Sequence, residues 1–226
     1  MTNPPIEVRR GKGWTTSLWE ERLPVLARAA KKADQGIGAL GIDYAAPKVA
    51  TAHRVNSYED CGFIGGMASR PIAFGINVMV VKGAKPHDVL RAAEWSSIMF
   101  HETVHCARME YVGTSERISE AVATEGLAYL AGHKYILDFA GKQLVSRIMD
   151  SDLEPDQHLA RRFGRLARSQ AYRSPDMAPW LNGGGEASAT IPPAALYGVQ
   201  LVQQQLDRGY TLPELITLPS REALGI

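Results

Sequence analysis

The chain of 226 residues lacks the features that most directly assign a protein to a compartment or a partner. Its two cysteines, Cys61 and Cys106, are too few for the disulfide framework of a small secreted domain. The 25 basic and 24 acidic residues nearly cancel, so no charge excess indicates a nucleic-acid or membrane-surface partner. No apolar run reaches the roughly 18 residues that a transmembrane helix needs.

The amino terminus, MTNPP, also lacks the apolar segment of a secretory signal. We therefore expect a cytoplasmic protein that binds neither membranes nor nucleic acids. Hydrophobic residues make up 45% of the chain, which is enough for a core, and the length fits a single domain over 1–226.

Apolar periodicity and turn residues divide this domain into four parts. They are an irregular arm at 1–13, a helix with a small sheet at 14–85, two long helices at 86–150 and a helical C-terminal part at 151–226. Helices are predicted at 15–33, 86–109, 116–136 with 149 as an alternative end, 155–172, 194–206 and 213–217. This order of elements indicates an α+β fold in which helix dominates and the sheet comes early.

The sheet is predicted from two strand patterns, at 48–55 and 72–81. The stretch between them, 58–70, is rich in glycine and is predicted to be a loop. Gly36, Gly38 and Gly41 are expected to break the helix that precedes the sheet.

The most informative segment is HETVH at 101–105, inside an apolar run predicted to be helical. Residues four apart lie one turn apart on the same helix face, so His101 and His105 can bind one metal ion. Glu102, about 100° around the helix, can reach a water on that ion. Between residues 95 and 107, the only ionisable side chains apart from one cysteine are those of His101, Glu102 and His105. If they are buried, they require a partner such as a divalent metal.

A hydrolytic zinc ion usually has a third protein ligand. The residues after His105 lack the glycine and histidine of the HExxHxxGxxH motif, which excludes a metzincin arrangement. Glu120 and Glu125, on the next predicted helix, compete for the position. Glu125 lies among small and apolar residues, where a carboxylate needs a partner, so it is the preferred ligand; an interhelical hydrogen bond is the alternative. Glu120, near Glu116 and Arg117, is expected to face water or to bond a ligand histidine.

HETVHCAR at 101–108 followed by EGLA at 125–128 resembles a family of predicted zinc-dependent proteases. The layout is similar to that of the gluzincins, the thermolysin-like clan, whose third ligand is a glutamate on a following helix. The resemblance is clearest over 72–136. It implies a zincin-like fold with the sheet packed on the active-site helix, and an edge strand at 72–81 that binds extended peptide by β-addition. The alternative for 72–81 is an ordinary core strand.

The resemblance also implies a function and a set of site residues. One zinc ion per chain would be held by His101, His105 and Glu125, with Glu102 as the general base in the hydrolysis of a peptide or protein substrate. Where the family tends to have a tyrosine after a glycine, this chain has valine after Gly198 and a tyrosine before it. The residue that stabilises the oxyanion therefore stays open, and the candidates are Tyr197, His158 and Tyr172.

Two other functions compete with the metallopeptidase. A peptide-deformylase-like hydrolase would use Cys61 as the third ligand, although the residues around Cys61 and the AAP segment at 45–47 do not match that family's pattern. A non-catalytic zinc-stabilised binding module would need a fourth protein ligand to close the site, from His53, His133 or His158.

Arg108 shares the helix face of the two motif histidines. We expect it to lie near the metal-binding helices, paired with Glu120 or Glu116, because a buried arginine without a carboxylate is costly. The alternative is an exposed arginine near the end of the helix.

Overall fold

The computed structural model describes residues 6–42, 49–56, 64–70, 73–80, 92–135, 164–169, 171–173 and 193–226. Its strands are β1 (Glu7–Arg10), β2 (Val49–Asn56), β3 (Ile64–Arg70) and β4 (Ala73–Val80). Its helices are α1 (Thr16–Leu40), α2 (Ala92–Val112), α3 (Ile118–Tyr135), α4 (Pro193–Asp207), α5 (Leu212–Thr217) and α6 (Ser220–Leu224), with a further helical segment at 164–168. Helix predominates over strand, as predicted. None of these helices combines the length and apolar character needed to cross a bilayer.

The strands form a four-stranded mixed sheet in the order β1-β2-β4-β3. The β1–β2 and β2–β4 pairs are parallel, and β3 runs antiparallel to β4. Both β3 and β4 lie against α2, which places the sheet on the helix that carries HETVH.

The structure corrects three predictions about the sheet. The glycine-rich stretch 58–70 was predicted to be a loop, but its described part, β3, is a strand because the backbone of β4 supplies its partners. The predicted edge strand at 72–81 corresponds to β4, which is paired on both sides as a core strand is, and the edge strands of the described sheet are β1 and β3. The predicted irregular arm contains β1, whose residue Glu7 pairs with Val49 of β2.

Helix α1 is longer than its sequence predicts, because it continues through Gly36 and Gly38. Gly36 is buried against α2, where an added Cβ would lie 2.8 Å from Cε2 of Phe100. Glycine therefore allows close contact between the two helices at this position. The helix ends only at Gly41, whose φ of 72° lies in the left-handed region and whose N–H donates to the carbonyl of Gly38.

The later helices agree more closely with prediction. Those predicted at 116–136, 194–206 and 213–217 correspond to α3, α4 and α5, with ends that differ by at most two residues. The helix predicted at 155–172 is wrong at its end, because 171–173 is extended and pairs with the residues before α3.

Helices α3 and α4 cross at two glycines. A methyl group on Gly198 would overlap the carbonyl oxygen of Val122, and one on Gly126 would overlap the backbone of Gly198. The two backbones are therefore in direct contact, immediately beside Glu125 in the sequence of α3. This contact holds α4 against the segment that carries the candidate third ligand.

Replacing Gly198 by Ala is expected to lower the free energy of unfolding by at least about 1–3 kcal/mol, because overpacking here forces two backbones apart. Gly38→Ala is the matched control, since an added Cβ at this helical position has no atom within 4 Å. The control should be more stable than the parent by about 0.5–1 kcal/mol, the helix-propensity difference between glycine and alanine. Urea unfolding of the three proteins measures both changes, and equal effects would contradict the close crossing.

Candidate metal centre

Two helices provide the residues of the candidate centre. HETVH lies within α2 and Glu125 lies within α3, and these helices pack against each other. Gly113, with a φ of 77°, ends α2, and its N–H donates to the carbonyl of Met109 at 3.0 Å. The short connection between the helices therefore brings a residue 20 positions after His105 back to the HETVH face.

The carboxylate of Glu125 faces both imidazoles. Its Oε2 lies 3.3 Å from Nε2 of His101, and its Oε1 lies 3.6 Å from Nε2 of His105. The two imidazole centroids are 4.4 Å apart. Two imidazole nitrogens and a carboxylate thus converge on one place, as a three-ligand zinc site requires.

Glu102 approaches the same histidine pair from another side. It is 4% exposed, and its Oε2 lies 3.7 Å from Nδ1 of His105. One ligand-type atom from each of His101, Glu102 and His105 lies within 4.8 Å of the others, so these three could also hold an ion. Because both Nε2 atoms face Glu125 whereas Glu102 lies by Nδ1, we prefer Glu125 as the third donor.

The donor atoms fit a metal in a further respect. Nε2 of His105 is buried and forms no hydrogen bond with any residue that the structure describes. A buried polar atom without a partner is costly, and a metal ion would satisfy this nitrogen. Each of the three side chains, of His101, His105 and Glu125, keeps between 13% and 24% of its surface exposed, so the place where they converge can be reached from solvent.

The pKa values of two of the three donors, His105 and Glu125, suit metal binding. Burial lowers the pKa of His105 to about 4, so its imidazole is neutral at pH 7. Burial alone would raise the pKa of Glu125, but His105, His101 and the cation of Arg173 hold it at about 2. Burial alone would lower the pKa of His101. The hydrogen bond to Glu125 and the nearby negative charges outweigh burial, so the pKa of His101 is raised. The site therefore carries an ionised carboxylate and a neutral imidazole before any metal binds.

Tyr129 is part of the site, although the sequence analysis did not identify it. Its ring meets the imidazole of His101 edge to face, with centroids 4.8 Å apart and an interplanar angle of 75°. Burial and the charge of Glu125 raise the pKa of its hydroxyl, which stays protonated. Its spacing of four residues from Glu125 places it on the same face of α3, and this spacing could have identified it.

Two of the candidates for oxyanion stabilisation contact residues other than the site histidines. Tyr172 is 65% exposed and its ring lies under the guanidinium of Arg117, at 5.2 Å. The hydroxyl of Tyr197 faces Gly164, where an added Cβ would lie 2.8 Å from it. Within the described part of the chain, neither hydroxyl contacts an imidazole. The third candidate, His158, lies outside the described residues, as do Cys61 and the side chains of His53 and His133.

Arg108 is fully buried and joins three helices. Its Nε and Nη2 donate to the two carboxylate oxygens of Glu120 at 2.7 and 3.1 Å. Its Nη1 donates to the carbonyls of Leu215, Ile216 and Leu218, at 3.2, 3.2 and 3.0 Å. The predicted pair with Glu120 is confirmed, and the alternative of an exposed arginine is wrong.

The prediction for Glu120 is wrong on both counts. Glu120 neither faces water nor bonds a ligand histidine, because it is 8% exposed and its Oε1 accepts hydrogen bonds from Arg108 and from Oγ1 of Thr124. Both carboxylate oxygens of Glu120 accept hydrogen bonds from Arg108, which would otherwise be an unpaired buried cation.

Comparison of the chain with protein-family models, with curated proteins and with solved structures finds no match. The family resemblance of the HETVH and EGLA segments therefore remains an expectation. A function for this chain has to follow from the chemistry of the centre itself.

Proposed function

We propose that this protein is a zinc-dependent metallopeptidase of the zincin type, with His101, His105 and Glu125 as the zinc ligands. The observation that supports this most is the convergence of both Nε2 atoms on the two carboxylate oxygens of Glu125. An arrangement of two histidines from one helix and a glutamate from the next is that of a gluzincin.

The protein residues divide the chemistry between them. Zinc, when bound, lowers the pKa of a water toward about 7 and polarises the scissile carbonyl. A carboxylate oxygen of Glu102 accepts the proton of the attacking water and later delivers it to the leaving amine. His105 presents a neutral nitrogen to the ion because burial depresses its pKa. Tyr129 packs on His101 and fixes the orientation of that imidazole.

The edge strand β3 supports a peptide as the substrate. It is antiparallel to β4, lies at the edge of the described sheet and packs on α2. An extended peptide can extend such a sheet through main-chain hydrogen bonds, which makes binding largely independent of side chains. The same strand carries adjacent glycines at 65 and 66, and glycine in a strand often marks close approach of another backbone.

The proposal predicts about one zinc per chain, lost when Glu125 is replaced by alanine. Removal of a residue that hydrogen-bonds a metal ligand typically weakens metal affinity by about 10- to 100-fold. Removal of Glu125, a direct ligand in this proposal, should weaken zinc affinity by more than that. Elemental analysis and competition with a chelator measure this. Glu110→Ala, which removes an exposed acid from α2, is the control and should bind zinc as the parent does.

Two other results would overturn the assignment. Full zinc in Glu125→Ala together with loss in Cys61→Ala would favour the deformylase-like arrangement. Stoichiometric zinc without cleavage of any peptide in a diverse library would favour a non-catalytic binding module.

A further inference from the structure

A pocket of about 450 Å³ lies between the start of α3 and the C-terminal helix α6, and it shares no residue with the candidate metal centre. Its walls come from two stretches that are distant in the sequence, around 117–119 and 219–226. The two helices pack against each other, and Oγ of Ser220 donates to Oγ of Ser119 at 3.1 Å. Pockets that bind small molecules span about 300–1,000 Å³, so this one is large enough for a small ligand.

Two guanidinium groups line this pocket. That of Arg117 lies over the ring of Tyr172, 5.2 Å from the centroid, and this contact positions it at the pocket wall. Arg221, in α6, is exposed and forms no ion pair with any residue that the structure describes. Glu222 is the one acidic side chain among the lining residues. The charged side chains of the lining therefore favour an anionic ligand.

The two serine hydroxyls of the pocket include a donor that the protein does not use. Ser119 is 1% exposed, and Ser220 is partly buried. The pair shares one hydrogen bond but has two hydroxyl protons, and neither hydroxyl bonds any other group in the described part of the chain. One proton therefore lacks a protein acceptor, and an oxygen of a ligand in the pocket would supply it.

We propose that this pocket binds the phosphate group of a small ligand. Guanidinium groups bind phosphate through charge-assisted hydrogen bonds, and phosphate offers three acceptor oxygens, enough for two arginines and a hydroxyl. A carboxylate offers only two oxygens. The phosphate can be inorganic or part of a phosphorylated molecule, whose organic part would contact Pro219 and Ile226. The proposal is independent of the metallopeptidase function, because no candidate zinc ligand lines the pocket.

The pocket adjoins the buried hydrogen-bond network of Arg108. Ser119 precedes Glu120, which accepts hydrogen bonds from Arg108, and Pro219 follows Leu218, whose carbonyl accepts another from the same guanidinium. A bound phosphate would therefore contact α3 and α6 beside the residues through which Arg108 joins them. Because a ligand that binds only the folded protein stabilises it, saturating phosphate should raise the urea concentration at the midpoint of unfolding.

The test is calorimetric titration of the protein with inorganic phosphate, glycerol 3-phosphate and AMP, and with acetate as the comparison, at constant ionic strength. At least one phosphate compound should bind the parent at least about 10-fold more tightly than acetate does. Equal affinity for the three phosphate compounds would identify inorganic phosphate as the ligand. Tighter binding of glycerol 3-phosphate or AMP would identify a phosphorylated molecule.

Two variants locate the binding site. Arg221→Gln should weaken phosphate binding by about 10- to 100-fold, the range of a charge-assisted hydrogen bond, and should remove the shift of the urea midpoint. Ser220→Ala should weaken binding by up to about 10-fold, the range of a neutral hydrogen bond. Arg28→Gln, which removes an exposed arginine from α1, is the control and should bind phosphate as the parent does.

The proposal is overturned if no phosphate compound binds more tightly than acetate. It is equally overturned if Arg221→Gln and Ser220→Ala both keep the parental affinity, since the phosphate would then bind at another place, such as a zinc ion. Arg221 is exposed, so its replacement should leave the fold intact, and circular dichroism checks this. Failure of the metallopeptidase function would not change the outcome, because the titration requires neither bound zinc nor peptide cleavage.

Discussion

Replacing Glu102 by Gln is expected to abolish peptide hydrolysis while fold and zinc content are retained. The amide has nearly the same shape as the carboxylate but cannot accept the proton of the attacking water. General bases contribute about 10²- to 10⁴-fold to such reactions, so turnover should fall by at least that factor. The measurement is peptide turnover of parent and variant at matched zinc content.

Glu110→Gln is the control for this experiment, since it makes the same chemical change at an exposed position of α2. Parental turnover in Glu102→Gln would show that Glu102 is not the base. Loss of zinc from the variant would be equally informative. It would make Glu102 a ligand, as the mutual distances within the His101, Glu102 and His105 group allow.

The second large effect is expected on replacing Arg108 by Met. The change leaves Glu120 buried without its cation and three carbonyls of the C-terminal helices without their donor. Removal of one partner from a buried ion pair typically costs about 3–5 kcal/mol, so the free energy of unfolding should fall by that amount. Because Arg108 joins α2 to α3, which carry the proposed zinc ligands, zinc affinity should also fall by about 10- to 100-fold. Urea unfolding and chelator competition measure the two effects.

The ion pair between Arg9 and Glu7 provides the control. Its nitrogen–oxygen distance is 2.9 Å, comparable to that of the buried pair, but both side chains are more than half exposed. Arg9→Met should therefore change stability little. The double variant Arg108→Met, Glu120→Met should recover part of the lost stability, since no unpaired charge remains. Parental stability of Arg108→Met alone would contradict the buried network.

The helices α2 and α3, which carry the candidate ligands, could be predicted from sequence because their signals are local. The spacing of His101 and His105 depends only on helical periodicity, and α2 contains both. Glu125 was predicted to lie at the site because its neighbours are apolar and an isolated carboxylate needs a partner, and its carboxylate faces both imidazoles. The same reasoning predicted that Arg108 would pair with an acid of the next helix. Each inference used residues separated by one helix turn or one short connection.

The features that escaped prediction depend on partners distant in the sequence. Strands β1 and β3 have only weak strand-like sequence patterns. Strand β1 forms by pairing with β2, and β3 forms by pairing with β4. Gly36 was interpreted as a helix breaker because its contact with Phe100 is invisible in the sequence. The extended segment 171–173 could not be predicted because its partners lie more than 50 positions earlier in the sequence.

The crossing of Gly126 and Gly198 means that the candidate metal centre cannot be treated as a transplantable two-helix motif. The candidate ligands span only 101–125, a length that would be convenient to graft onto another scaffold. However, the orientation of Glu125 depends on α4, whose backbone contacts that of α3 at the adjacent residue. A designer who copied α2 and α3 alone would reproduce the ligand spacing but omit the neighbour that fixes the rotation of α3.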